Sequence, residues 1–295
     1  MKNWSKFPML NPDSKIDLHT HSTASDGSDT PAQLVKNAEY AGLNAVALTD
    51  HDTISGLDEF MTAPSNRYLY RIPGVEFSCH YEKKEVHIVG LFIDPANDAL
   101  LTQMEQRRED RLLRNQKILE KLAENGYHIS EEDVAKHASG ESVGRPHIAR
   151  ALIDKGYYDT MKTAFTKCLG RSGFAYIPRT PFAPADAISA IHTAGGLAVW
   201  AHPMLCVQTR AALIRMLKIL KPAGLDGMET VYSMYAEKQH VLAETVCRSM
   251  DLLESGGSDY HGKNQPGIEL GTGSGNLHIP GEFLLRMMER KGIRI

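Results

Sequence analysis

The stretch KIDLHTHSTASDG, residues 15–27, combines a short apolar run with two histidines, His19 and His21. A carboxylate, Asp26, follows in a Ser-Asp-Gly turn. Side chains two positions apart in a strand point to the same side, so both imidazoles face one direction. Imidazole and carboxylate are the ligands that divalent ions such as Zn, Mn and Fe select. The stretch therefore predicts a strand that ends at a metal site.

Apolar runs along the whole chain predict seven strands, over residues 16–18, 45–49, 72–77, 86–93, 197–201, 226–230 and 252–256. They lack clean alternation, which is typical of strands that are covered on both faces. Amphipathic segments predict helices over 31–42, 184–194, 208–220 and 236–250. This alternation predicts an α/β fold in which a parallel sheet closes as a barrel, with function at the carboxyl ends of the strands.

The alternation of strands and helices stops between residues 98 and 178, where the pattern predicts helices over 98–125, 130–138, 145–155 and 158–168. We expect an inserted helical subdomain over 98–178 that binds substrate, and a barrel made of 1–97 and 179–295. The run EQRREDRLLR, residues 105–114, mixes both charge signs, which predicts a solvated helix rather than a nucleic-acid track. The packed face of the helix predicted over 98–125 is expected to include Met104, Leu112, Leu119 and Leu122.

Composition indicates an ordinary soluble protein. Of 295 residues, 42% are hydrophobic, and the formal net charge is −3, which gives no general affinity for polyanions. The four cysteines form no CxxC pair, which favours a reducing cytoplasm, and no apolar run approaches the roughly 18 residues of a membrane span. We expect a cytoplasmic protein with no membrane contact and no obligate protein partner.

Imidazoles or carboxylates occur at nearly every predicted strand end. The candidate metal ligands are His19, His21, Asp26, His51, Glu76, His87, His202, Asp259 and His261. Strand ends of a parallel barrel converge on one rim, so these groups are expected to meet there. Such a set is too large for a single ion and suits two or three divalent ions. Manganese is the expected metal, with zinc or iron as alternatives.

The motifs HTHSTASDG, ALTDHDT, GVEFS, HIVG, AHP and GSDYHG resemble, in the same order, the successive motifs of the PHP (polymerase and histidinol phosphatase) superfamily. The resemblance covers roughly residues 14–94 and 180–265. It implies a metal-dependent phosphoesterase on a distorted seven-stranded (β/α)7 PHP barrel with an inserted all-helical subdomain.

The resemblance also implies a division of the ligands among three ions. The first ion would take His19, His21, Glu76 and Asp259. Glu76 would bridge to a second ion that is also held by His87 and His202. The third ion would take Asp26, His51 and His261. Every one of these positions carries a competent ligand type.

Two segments of the insertion, SVGRPHIARAL at 142–152 and KCLGRSGFAYIP at 167–178, resemble one branch of the superfamily. That branch contains nucleoside 3′,5′-bisphosphate phosphatases and enzymes that trim RNA. The candidate phosphate-binding residues are Arg145, His147 and Arg171, with Arg179 as a weaker candidate. Arginine grips phosphate with a planar fork, and the first residues of a helix offer free N–H groups to an anion.

Asp50 and Asp52 flank the candidate ligand His51 and are predicted catalytic residues. Either one orients that imidazole or shuttles a proton; the alternative is that they cap a helix over residues 53–60. Divalent ions lower the pKa of a shared water, and the resulting metal-bound hydroxide is expected to attack phosphorus. No serine or cysteine lies in a nucleophile-elbow context, so no protein nucleophile is expected.

The leading hypothesis is release of the 3′-phosphate from nucleoside 3′,5′-bisphosphates, together with 5′-to-3′ trimming of short 5′-phosphorylated RNA. One alternative is a histidinol-phosphate-type phosphatase, which would use the same ions but would not need Arg145 as an anchor. Another alternative, from a different class, is a catalytically silent metal-binding regulatory module. The complete ligand set argues against the last.

Overall fold

The computed structural model describes residues 10–293 except 67, 83, 139, 141 and 179, so the candidate Arg179 lies outside the described residues. One seven-stranded sheet runs in sequential order. Its strands are β1 Ile16–Asp17, β2 Ala45–Leu48, β3 Tyr70–Tyr81, β4 Lys84–Leu91, β5 Leu197–Ala201, β6 Gly227–Tyr232 and β7 Leu253–Gly257. The predicted α/β fold with a barrel-shaped, seven-stranded sheet is confirmed.

The helices are α1 Pro31–Tyr40, α2 Leu57–Thr62, α3 Asp98–Glu124, α4 Glu131–Ala135, α5 Arg145–Asp154, α6 Met161–Ala164, α7 Pro184–Thr193, α8 Pro203–Cys206, α9 Arg210–Leu220, α10 Glu237–Ser249 and α11 Gly281–Arg290. A π-helical turn, Phe165–Leu169, continues α6, and a 3₁₀ turn spans Gly262–Asn264. The short α8 and the amphipathic α11 are absent from the sequence prediction. Within the described part of the chain, no helix has the length and apolar character that crossing a membrane requires.

Strand β4 runs opposite to both of its neighbours, which corrects the prediction of an all-parallel sheet. The reason lies in the chain length between β3 and β4: two residues suffice for a hairpin but not for the crossover that parallel strands need. Reversal places the first half of β4 at the same rim as the carboxyl ends of the other strands. His87, which stands near the start of β4, therefore reaches the rim, opposite Ser78 of β3.

The first and last strands meet and bring the two ends of the barrel together. The amide of Leu18 donates to the carbonyl of Gly256 at 3.3 Å, and the amide of Asp259 donates to the carbonyl of His19 at 2.9 Å. A Cβ atom at Gly257 would lie 2.2 Å from Cβ of His19, so only glycine allows this approach. The buried carboxylate of Asp17 accepts a hydrogen bond from the Ser258 amide at 2.9 Å. The rim around His19 is therefore fixed by contacts across the closure.

The described residues of 98–169 that lie in regular structure are all helical, and they enclose a hydrophobic cluster of their own. Its members include Ile118, Leu122, Ile148, Leu152 and Leu169. The two other clusters lie inside the sheet and between the sheet and the surrounding helices. Burial of these apolar side chains against one another supports the helical segment, while Leu100 and Met104 at the start of α3 pack into the core of the barrel.

The prediction that the charged run of α3 is solvated is wrong at two arginines. Arg111 and Arg114 are only 7% and 5% exposed, and the prediction that Leu112 lies on the packed face is also wrong, since Leu112 is 42% exposed. Arg111 forms an ion pair with Asp52, and Nε of Arg114 donates to the carbonyl of Ile177 at 2.9 Å. These partners account for the burial of the two guanidinium groups, and the ion pair with Asp52 joins this face of α3 to the barrel.

Candidate metal centre

Glu76 of β3 lies at the centre of a cluster of imidazoles and is completely buried. Oε2 of Glu76 lies 2.8 Å from Nδ1 of His51, and Oε1 lies 2.8 Å from Nδ1 of His87. The same carboxylate lies 3.3, 3.4 and 3.1 Å from the Nε2 atoms of His19, His21 and His202. A single carboxylate with two oxygens thus faces five imidazoles, an arrangement suited to bridging ions.

The other two carboxylates lie beside the same imidazoles. Oδ1 of Asp259 lies 3.1 Å from Nε2 of His21, while the hydroxyl of Tyr232 donates to Oδ2 of Asp259 at 2.7 Å. Oδ1 of Asp26 lies 3.2 Å from Nε2 of His261. The structure therefore brings all the side chains that the sequence predicts as metal ligands into one cluster.

Three sets of donor atoms within this cluster are compact enough to hold an ion, with every atom within 4.8 Å of the others. The sets are His21, Asp26, His51 and His261; His19, His21 and Glu76; and His51, Glu76 and His87. His21, His51 and Glu76 each belong to two sets, because the sets adjoin. The assignment of individual ligands to individual ions stays a prediction.

The main chain around His51 continues the sheet and points its ring at Glu76. His51 pairs with Glu76 as an isolated parallel bridge. The amide of Glu76 donates to the carbonyl of Asp50 at 3.1 Å, and the amide of Asp52 donates to the carbonyl of Glu76 at 2.9 Å. The residues on both sides of His51 are therefore fixed to β3, and the imidazole between them has a defined position.

The Asp50 carboxylate holds the loop that carries Asp26. Its Oδ1 accepts a hydrogen bond from the amide of Ser22 at 2.8 Å and from the hydroxyl of Ser25 at 2.5 Å. Its Oδ2 accepts from the hydroxyl of Ser22 at 2.6 Å. These contacts favour positioning over proton transfer for Asp50, whose catalytic role stays a prediction.

The Asp52 carboxylate joins the barrel to α3. Its Oδ1 accepts from the amide of Ser78 at 2.8 Å, and its Oδ2 pairs with Arg111. Helix α2 begins only at Leu57, after an N-cap at Gly56. The alternative that Asp50 or Asp52 caps this helix is therefore wrong, and the proposed catalytic role of Asp52 stays a prediction.

The buried side chains of the cluster shift one another's pKa values. Burial opposes ionisation of Glu76, but the imidazoles of His51, His19 and His87 outweigh it and hold the pKa of that carboxyl well below its usual range. Burial would lower the pKa of His87, yet the Glu76 carboxylate raises it to about 10. Burial and the neighbouring His261 lower the pKa of His21 to about 3, so that ring is neutral at pH 7 and keeps its lone pair.

Within the cluster, three buried nitrogen and oxygen atoms have no hydrogen-bond partner among the residues that the structure describes. They are Nδ1 of His21, Nδ1 of His51 and Oε2 of Glu76. The last two lie 2.8 Å apart and make no hydrogen bond with one another. Buried polar groups are normally paired, and a cation between such atoms would remove the penalty. The residues present therefore fit divalent metal ions.

Glu229 of β6 is a site residue that the sequence analysis missed. Its Oε1 lies 2.8 Å from Nδ1 of His19, and its Oε2 accepts from the amide of His202 at 2.5 Å. A carboxylate behind a metal-binding histidine fixes the ring and its tautomer. The available signal was a glutamate in the middle of a strand predicted to be covered on both faces, and in the structure Glu229 is 1% exposed.

Glu229→Gln is expected to weaken metal binding about 10- to 100-fold, because Nδ1 of His19 loses its charged acceptor. Competition with a fluorescent chelator measures this affinity directly. Glu254→Gln is the matched control, since Glu254 is also a buried strand glutamate but contacts Arg248 and Thr230 instead of a candidate ligand. Equal metal affinity in Glu229→Gln and the wild type would contradict the role of Glu229.

Arg145, at the start of α5, extends towards this cluster from the helical segment. Its Nη1 donates to the carbonyl of Leu169 in the π-helical turn at 3.3 Å. Its guanidinium carbon lies 5.8 Å from the centre of the Phe165 ring and 5.7 Å from that of Tyr176. Cation–π contacts of this kind orient a guanidinium group, so Arg145 is held in place rather than free in solvent.

The two other candidate phosphate ligands differ in their surroundings. Arg171 is half-exposed, and its Nη2 lies 3.9 Å from Oε2 of Glu85. His147 is buried, and its Nδ1 accepts a hydrogen bond from the Gly144 amide at 3.0 Å. This contact caps α5 and gives His147 a structural role, and phosphate binding by His147 and Arg171 stays a prediction.

A cavity of about 150 Å³ lies between the donor cluster of the barrel and the helical segment. Asp26, His51 and His87 line it from the barrel, and Arg145 and Phe165 line it from the helical segment. A second cavity of about 880 Å³ lies between α2, α3 and the end of β4. Arg111 and Ser142 line both cavities, so the Asp52–Arg111 ion pair stands at their boundary.

Several known proteins are similar to this chain in sequence or in structure. A 5′-3′ exoribonuclease of Haemophilus influenzae is 37% identical over 84% of this chain and 90% of its own length. A 3′,5′-nucleoside bisphosphate phosphatase of Chromobacterium violaceum is 34% identical over 87% of this chain and 90% of its own length. A solved structure assigned as a metal-dependent phosphoesterase, from Bifidobacterium adolescentis, superposes with a TM-score of 0.84 at 31% identity, covering 95% of this chain and 97% of that one.

With these relatives and this donor cluster, the chain is a metal-dependent phosphoric ester hydrolase. The family model described as the PHP domain matches residues 17–180, more than half of the chain. The chain belongs to the PHP domain family, as the order of its motifs predicts.

Proposed function

We propose that the chain hydrolyses the 3′-phosphate of nucleoside 3′,5′-bisphosphates and removes nucleotides from short RNA in the 5′-to-3′ direction. The observation that carries this proposal is the shared cavity: Arg145 lines the same small space as His51 and His87. A relative named for each activity supports it. An arginine anchor for a 5′-phosphate beside the donor cluster would present the next phosphorus atom of either substrate to that cluster.

Both activities are compatible with one site because the first nucleoside of either substrate carries one phosphorus atom at its 5′-oxygen and a second at its 3′-oxygen. In a nucleoside bisphosphate, the second phosphorus carries a terminal 3′-phosphate; in RNA, it joins the first nucleotide to the second. Cleavage at this atom releases a nucleoside 5′-phosphate in both cases. The 5′-phosphate contacts Arg145, and Arg171 stands beside it as a second donor.

We propose that two or three divalent ions, with manganese preferred, are held by the nine clustered imidazoles and carboxylates. When bound, such ions neutralise phosphate charge and lower the pKa of a water molecule. Glu229 orients His19 for this task, and the main chain of Asp50 and Asp52 orients His51. We propose further that residues 98–178 form the substrate-binding subdomain, because they supply Arg145 and Arg171.

A substrate panel tests the proposal. Adenosine 3′,5′-bisphosphate, a short 5′-phosphorylated RNA, 5′-AMP and histidinol phosphate are compared in the presence of Mn²⁺, and products are identified by mass. We expect 5′-AMP from the bisphosphate and 5′-mononucleotides from the RNA, with little turnover of 5′-AMP itself. Preference for histidinol phosphate would overturn the proposal, and failure to turn over any of the four would favour a silent regulatory module.

Arg145→Ala is expected to raise KM for adenosine 3′,5′-bisphosphate about 10- to 100-fold, the effect of one lost charge-assisted hydrogen bond. Turnover of an aryl phosphate, which has no second phosphate to anchor, should stay unchanged. Arg215→Ala, an exposed arginine on α9, serves as the control. An equal loss on both substrates would remove Arg145 from the anchor role.

A further inference from the structure

Two loops that carry candidate metal ligands are hydrogen-bonded to each other along the rim. The first loop, residues 20–29, follows β1, and the second loop, residues 258–264, follows β7. The amide of Ser28 donates to the carbonyl of His261 at 3.1 Å, and the amide of Lys263 donates to the hydroxyl of Ser28 at 2.8 Å. Contacts between opposite ends of the chain therefore fix the shape of this part of the rim.

Asn264 of the second loop contacts the main chain of a candidate ligand in the first loop. Its side-chain Nδ2 donates to the carbonyl of Asp26 at 2.7 Å. The carboxylate of the same Asp26 lies 3.2 Å from Nε2 of His261, which belongs to the same loop as Asn264. The hydrogen bond from Asn264 therefore holds the main chain of Asp26 at the position from which its carboxylate meets His261.

The ends of the first loop are anchored independently of Asn264. Oδ2 of Asp29 accepts a hydrogen bond from the hydroxyl of Tyr260 at 2.8 Å and from Nδ2 of Asn37, on α1, at 2.6 Å. At the other end of the loop, the amide of His21 donates to the carbonyl of Tyr260 at 2.9 Å. Loss of the Asn264 side chain would therefore leave both ends of the loop in place and remove one restraint on the turn between them.

One of the three compact donor sets contains Asp26 as its only acid. This set consists of His21, Asp26, His51 and His261, whereas each of the other two sets contains Glu76. Asp26 also lines the cavity of about 150 Å³ together with His51 and Arg145. Its side chain is 17% exposed, while Glu76 is completely buried. An ion in the Asp26 set would therefore face the cavity, and its charge would be balanced by a carboxylate that neither of the other sets uses.

We propose that Asn264 is a positioning residue that sets the affinity of this donor set for a divalent ion by holding Asp26. The inference rests on the proposed function, because it takes the donor sets to hold metal. Without the hydrogen bond, the turn around Asp26 samples more conformations, and ion binding must then restrict it. Hydrogen bonds that orient a ligand residue contribute about 10- to 100-fold to metal affinity. Among the described residues, Asn264 makes no hydrogen bond to the two sets that contain Glu76, so those sets should keep their affinity.

A double-mutant cycle on Mn²⁺ binding tests the inference. The purified full-length chain is compared as wild type, Asn264→Ala, Asp26→Asn and the double variant, by competition with a fluorescent chelator. We expect Asn264→Ala to weaken one bound Mn²⁺ about tenfold, while the remaining Mn²⁺ keeps its affinity and so reports an intact centre. In the Asp26→Asn background, the same replacement should change the metal affinity by less than about twofold, because the carboxylate that Asn264 positions is absent.

Asn125→Ala is the matched control for Asn264→Ala. Asn125 also donates its Nδ2 to a main-chain carbonyl, that of Lys121 at 2.8 Å, but it ends α3 in the helical segment, so this variant should bind Mn²⁺ like the wild type. Unchanged Mn²⁺ affinity in Asn264→Ala would overturn the inference. So would a loss shared by all bound Mn²⁺, or a loss of equal size with and without the Asp26 carboxylate, since either would show a general structural effect.

The same titration separates this inference from the proposed function. A wild type that binds no Mn²⁺ would overturn both. When the wild type does bind Mn²⁺, the substrate panel judges the proposed function by its products, and the double-mutant cycle judges the role of Asn264 by affinity alone.

Discussion

Replacing Glu76 with glutamine is expected to abolish metal loading and to lower kcat/KM by about 10³-fold or more, which corresponds to several kcal/mol of lost charge stabilisation. The carboxylate faces five imidazoles, and no other acid in the cluster reaches as many among the described residues. A neutral amide has the same shape but cannot bridge cations or balance their charge. Elemental analysis after manganese loading and turnover of adenosine 3′,5′-bisphosphate give the two readouts.

Two other glutamate variants are compared with Glu76→Gln for their loss of metal affinity. Glu229→Gln removes an acid that contacts the cluster through His19 and should show an intermediate loss of metal affinity. Glu254→Gln, whose acid pairs with Arg248, should behave as the wild type. If Glu76→Gln kept a full complement of metal and normal turnover, the centre around Glu76 would not be the catalytic one.

Arg111→Ala is expected to lower the free energy of unfolding by about 3–5 kcal/mol, the usual effect of breaking a buried ion pair from one side. The side chains of Arg111 and Asp52 are 8% and 4% exposed, so the substitution leaves the Asp52 charge buried without this partner. Urea denaturation of the apoprotein, followed by circular dichroism, measures the loss. The double variant Asp52→Asn/Arg111→Met should recover most of it, because neither charge of this pair remains buried.

Arg108→Ala provides the control three residues away on the same helix. Arg108 pairs with Glu105 at the surface, where its side chain is 38% exposed, and such pairs contribute about 0–1 kcal/mol. A loss for Arg111→Ala no larger than that of Arg108→Ala would show that the Asp52–Arg111 contact does not support the fold.

The sequence predicts the strands and the donor cluster well because both depend on local patterns. Apolar runs mark buried strands, and an imidazole or acid just past a run marks the rim. The motif around His19 and His21 illustrates this, since both rings reach Glu76 from a strand end located by pattern alone. The family resemblance strengthens the same conclusion by supplying the order of the motifs.

Features that depend on long-range contacts are harder to predict. The direction of β4 was missed because β3 extends to Tyr81, beyond its predicted end at residue 77, and leaves only two residues for the turn. Arg111 appears as part of a charged helical run, and only tertiary packing against Asp52 explains its burial. Glu229 supports His19 from 210 residues away, and Asn264 contacts Asp26 from 238 residues away. Each of these residues acquires its role from a partner that no local pattern reveals.

The closure of β1 on β7 has a consequence for biosynthesis. Ligand candidates begin at His19 and end at His261, and backbone hydrogen bonds join them only when the last strand is in place. At a translation rate of about 5–20 residues per second, the ribosome releases the first histidines roughly 10 to 50 s before the last one is made. A nascent chain therefore carries an incomplete set of donors during most of its synthesis. The full set of candidate ligands can bind ions only after the barrel has closed.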